Sequence, residues 1–60
     1  MVEIYLKNNV FYELETTIEH VRSLLEDNFI KQDTFLPFQF EDGSKAYIKK
    51  SEIVAFNETD

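Results

Sequence analysis

Cysteine is absent from this 60-residue chain, and so is tryptophan. There is one glycine, Gly43, one proline, Pro37, and one histidine, His20. Without cysteine there is no disulfide and no thiolate metal site, and the absence fits a reducing, cytoplasmic setting. With a single histidine, a zinc site would have to rest on carboxylates, so no metal or other cofactor is expected. One histidine with no cysteine and no glycine-rich phosphate loop leaves nothing from which to assemble a nucleophile and its base, and the chain reads as a non-enzyme. No apolar run approaches the roughly 20 residues of a membrane span. The opening Met-Val-Glu-Ile-Tyr-Leu-Lys has no basic region followed by an apolar stretch, so neither a signal peptide nor a membrane partner is expected.

Bases are also scarce. Six of them against twelve acids leave a net charge of −6, which repels nucleic acid at long range and aids solubility. Aromatics, by contrast, are plentiful: six Phe and three Tyr in a chain that is 43% hydrophobic, a composition that argues against disorder. Sixty residues make one domain at most, here residues 1–60 with a polar tail at about 57–60. A chain of this size buries only about 60% of the surface its unfolded form exposes. Disulfides, metals or partner subunits usually support such a chain, and only the last remains open to this one.

Two alternating runs begin the chain: Val2, Ile4 and Leu6, then Val10, Tyr12 and Leu14. Period two marks strands with one buried face. A two-residue loop at Asn8-Asn9 would mix the faces by placing Leu6 opposite Phe11. A three-residue loop, Lys7-Asn8-Asn9 with Asn9 left-handed, pairs Leu6 with Val10, Ile4 with Tyr12 and Val2 with Leu14, and is preferred. Thr16 followed by Glu19 has capping-box spacing and predicts a helix start. Ile18, Val21, Leu24, Leu25 and Phe29 then form its core-facing stripe, with Glu19, Ser23, Glu26 and Asp27 opposite, and the helix should fade near Asn28. A third strand, Thr34 to Phe40, carries Pro37, which favours an edge. Glu41-Asp42-Gly43 turns the chain so that Phe40 pairs with Ser44, Phe38 with Ala46 and Leu36 with Ile48. After Lys49-Lys50-Ser51-Glu52 a last short strand runs from Ile53 to Phe56. The fold class is α+β: β-β-α-β-β-β, a mostly antiparallel sheet with one helix packed on one face, or a sheet curled into a small open barrel.

Both registers turn Tyr5, Phe11, Phe35, Pro37 and Tyr47 away from the helix. These five are too large and apolar for a face that only meets water, which makes them candidates for an interface. The plainer reading is that the sheet curls and buries them within the protomer. Lys45, Tyr47 and Lys49 share a face, and with Lys50 they form a second candidate site, in which lysines neutralise phosphate while a base stacks on the ring. Against it stand the net charge and the ordinary use of edge lysines to discourage aggregation. Glu19, Glu26 and Asp27 form a third candidate, an acidic face for a basic partner, whose plain reading is a solvated helix exterior. His20 lies at the border of the helical stripe and reads as an exposed boundary residue. The rhythm Phe38-x-Phe40-x-x-Gly43, Ala46-x-Ile48, Ile53-x-x-Phe56 is similar to that of many small barrels, Sm-like and SH3-like ones among them. It carries no diagnostic residue, and a helix between the second and third strands departs from both groups. The expected partner is protein, either a second copy or another chain, with single-stranded nucleic acid as the disfavoured alternative. Small size and the lack of catalytic groups suggest an accessory gene product of bacterial or phage origin.

Overall fold

A computed structural model describes residues 1–59. The elements are β1 (Val2–Leu6), β2 (Phe11–Leu14), α1 (Ile18–Glu26), β3 (Phe35–Gln39), β4 (Lys45–Lys49), a 3₁₀ turn (Lys50–Glu52) and β5 (Ile53–Glu58). The class is α+β, as the alternation of periods requires.

Both hairpins turn through three residues. Leu6 N–H donates to Val10 O at 2.8 Å, Asn9 N–H donates to Leu6 O at 3.1 Å, and Asn9 sits at φ 67°. Val2 then faces Leu14 and Ile4 faces Tyr12. In the second hairpin Phe40 N–H donates to Ser44 O at 2.8 Å and Gly43 N–H to Phe40 O at 2.9 Å, with Gly43 at φ 90°. Phe38 faces Ala46 and Leu36 faces Ile48. The Ser44 hydroxyl and N–H both donate to Asp42 Oδ1, at 2.6 and 2.9 Å. Those two bonds, the hydroxyl's first, hold the Asp42 carboxyl below its ordinary value. What they add to the turn is lost as pH falls through that lowered value.

The strands divide between two antiparallel sheets, β2-β1-β5 and β3-β4, and the curled barrel considered above does not form. Pro37 supplies a reason for the division. Phe40 and Ser44 are a hydrogen-bonded pair, so alternation makes Pro37 and Tyr47 a non-bonded pair, and the Pro37 nitrogen points away from β4. On that free side Gln39 O accepts from Glu15 N–H at 2.8 Å, the beginning of a β2–β3 ladder. Pro37 has no N–H with which to continue it.

The core consists of Val2, Ile4, Leu14, Val21, Leu36, Phe38 and Ile48. Val10 and Tyr12 point to the same side of the first hairpin but are exposed, Tyr12 resting edge-on against Phe40. The helix starts one residue later than the Thr16 spacing suggests. Thr17 is the N-cap, its hydroxyl accepting from His20 N–H at 3.1 Å. His20 occupies the place that a capping box reserves for an acid, so no reciprocal bond forms. The helix also ends early. Asp27 Oδ1 accepts from Phe29 N–H at 2.9 Å, a local turn that competes with another helical turn. Phe29 therefore leaves the stripe assigned to it and stands 97% exposed.

Lys50, expected at the surface, is buried at 5% exposure. Its ammonium donates to Asp27 O and Ile30 O, both at 2.8 Å. A cation is favoured there because the last carbonyls of a helix carry partial negative charge, and the helix has no base in its own last turn. Backbone bonds from Lys50 N–H to Thr34 O and from Ser51 N–H to Gln32 O complete the attachment of the helix–strand loop to the 3₁₀ turn.

β5 runs antiparallel to β1 and reaches Glu58, so Asn57 and Glu58 of the expected tail are strand; Asp60 lies outside the described residues. Tyr5 faces Ala55 while Leu6 faces Ile53, which leaves Val54 as the extra residue of a bulge. Ile53 and Phe56, three apart, would fall on opposite faces of a regular strand. The bulge brings both partly into the core and leaves Val54 exposed.

Two stability predictions follow from these contacts. Gly43→Ala meets only open space, the nearest side-chain atom being Gln39 Nε2 at 4.0 Å from the added Cβ. Its cost is therefore torsional, about 1–2 kcal/mol in a urea titration. Lys50→Met keeps the stem but strips two partly buried carbonyls of their donor, and should cost about 1–3 kcal/mol by the same measurement.

Candidate interaction surface

The odd-numbered residues of β1 and β2 form the outer side of the three-stranded sheet. Tyr5 and Phe11 face each other across a non-hydrogen-bonded pair, the closer of the two pair types. Their rings stack at 5.5 Å with a 28° interplanar angle. Beside them Glu3 faces Glu13, two like charges directly opposite, an arrangement that destabilises a sheet. Glu3 Oε1 accepts from the Tyr5 hydroxyl and from Asn57 Nδ2, each at 3.0 Å. The bond to the carboxylate, partial desolvation and the nearby negative charge all raise the Tyr5 hydroxyl above its ordinary value, in that order of size.

The outer side of β3-β4 carries Phe35, Pro37 and Tyr47, with Pro37 facing Tyr47. Phe35 is 60% and Tyr47 63% exposed, and Phe11 on the other sheet 54%. Lys45 and Lys49 lie on the same side as Tyr47, two residues to either side of it. The five ring-bearing candidates thus occupy two surfaces on two sheets, where the sequence suggested one. One surface is aromatic and acidic, the other aromatic and basic.

Lys50 drops out of the phosphate-binding candidate, because its ammonium is taken up by backbone carbonyls and is shielded from solvent. Of the acidic helix candidates, Glu26 pairs with Arg22 at 3.1 Å, which breaks the negative face between Glu19 and Asp27. These residues and Ser23 line a shallow depression of about 520 Å³. His20 is exposed on a groove of about 230 Å³ between the helix start and β3, with Glu15, Thr16, Pro37, Phe38, Gln39 and Lys45. Phe29 and Val54 were missed as exposed apolar residues. Asp27-Asn28, a turn-prone pair just before Phe29, was the available signal for the first. The bulge behind Val54 had none.

The chain matches no protein-family model, no curated protein and no solved structure.

The raised Tyr5 value sets a pH test. The folded state favours the protonated phenol, so its contribution is complete below the ordinary tyrosine range and is lost as pH rises through the raised value. An ultraviolet titration should show one tyrosine ionising later than it does after Glu3→Gln, a substitution that removes the charged acceptor.

Proposed function

We propose that this chain is a small, non-enzymatic, cytoplasmic protein-interaction module that self-associates through the aromatic residues on the outer sides of its sheets. One observation carries the reading. The core is already filled by aliphatic side chains and Phe38, yet Phe11, Phe35 and Tyr47 remain more than half exposed. Fully burying a side chain of this kind is worth about 1.5–3 kcal/mol, so leaving three in water forgoes stability that a small chain needs. Contact with a second copy recovers it, and no disulfide competes as a support.

Tyr47 between Lys45 and Lys49 also supports the single-stranded nucleic-acid reading, weakened by the loss of Lys50 and by the net charge. Absence of oligonucleotide binding at low salt, where the electrostatic contribution is largest, would end that reading.

Sedimentation at micromolar concentrations tests the proposal. The wild-type chain should associate, and Phe11→Ser combined with Tyr47→Ser should give a folded monomer, because neither ring belongs to the core. A wild-type chain that stays monomeric to hundreds of micromolar, or a double variant that associates unchanged, overturns it.

A further inference from the structure

The two outer surfaces differ in charge, and each carries what the other lacks. The β2-β1-β5 side presents the stacked Tyr5–Phe11 pair and, two residues along β1, the facing carboxylates Glu3 and Glu13. The β3-β4 side presents Tyr47 and, two residues away in either direction, Lys45 and Lys49. Two residues along a strand span about 6.6 Å on both sheets. Ring and charge are therefore spaced alike on the two surfaces. Among the described residues none of these four charged groups takes part in an ion pair, the one present being Arg22–Glu26.

Resting on the self-association proposed above, we infer that the occupant of each surface is the opposite surface of a second copy. The acidic outer side of β2-β1-β5 packs on the basic outer side of β3-β4 of its partner. Tyr47 of one copy lies over the Tyr5–Phe11 pair of the other, and that spacing carries a lysine ammonium onto the Glu3–Glu13 pair. Contact between two different surfaces is head-to-tail, and each copy offers both halves of it. Within the protomer the Glu3–Glu13 pair meets only neutral donors, Tyr5 and Asn57 on Glu3 and Thr59 on Glu13. Two carboxylates held opposite each other are unfavourable within one sheet, and the arriving cation removes the repulsion. Sheets packed face to face lie about 10 Å apart, within reach of an extended lysine.

Charge exchange tests the pairing. Glu3→Lys with Glu13→Lys makes both surfaces basic, and Lys45→Glu with Lys49→Glu makes both acidic. Each variant alone should self-associate at least about tenfold more weakly, since like charges across an interface cost several kcal/mol. An equimolar mixture of the two variants should regain association, because every contact is again between opposite charges. Circular dichroism monitors folding throughout. If the acidic-side variant fails to fold, Glu13→Lys alone replaces it. That change places a lysine opposite Glu3, and it should raise the thermal stability of the dilute protomer while still weakening association. Reversed variants that associate like wild type, or a mixture that does not recover, overturn this pairing. If Phe11→Ser with Tyr47→Ser still abolishes association, the aromatic reading stands without it. Association unmoved by the serine substitutions overturns the underlying reading itself.

Discussion

Two residues in the left-handed region, Asn9 and Gly43, determine which side of four strands meets the core. Each closes a three-residue loop, and loop length sets the parity of everything paired beyond it. One residue more or fewer would turn Leu14 outward and Phe11 inward in the first hairpin, and would exchange Phe38 with Pro37 in the second. Side chains alternate with period two, so no intermediate arrangement exists. The aliphatic core, the stacked Tyr5–Phe11 pair and the lysines flanking Tyr47 all follow from those two turns.

A core of seven buried hydrophobic residues among those described is small, and backbone attachments supplement it. Lys50 is the clearest case. It reaches from the end of β4 to the carbonyls on either side of Asn28-Phe29 and holds the helix–strand loop in place. A lysine could take this role because the helix end offers acceptors carrying partial negative charge. The outer surfaces show the opposite economy: large rings that contribute little to the protomer, grouped with charges of one sign on each sheet.

The strand alternations, the two loop lengths, the existence of the helix and the outward direction of Tyr5, Phe11, Phe35, Pro37 and Tyr47 were legible in the order of residues. All depend on periodicity and turn chemistry, which act over a few neighbours. The local turn at Asp27 shows where that reach stops. The stripe continues through Phe29 at helical spacing, but a side-chain bond and a lysine from 23 residues further along the chain end the helix before it.

Several features were decided only by the tertiary structure, because each depends on groups distant in sequence. Between the two sheets Glu15 meets Gln39 next to a proline, which has no N–H to extend that contact. The inward placement of both Ile53 and Phe56 depends on a bulge formed against β1. The burial of Lys50 depends on a helix end that happens to lie above it. Sequence by itself therefore determined which side of each hairpin strand turns away from the core. Tertiary structure decided how the outward residues group, acids with one ring pair and lysines with the other, since grouping depends on which strands become neighbours and no local preference specifies that.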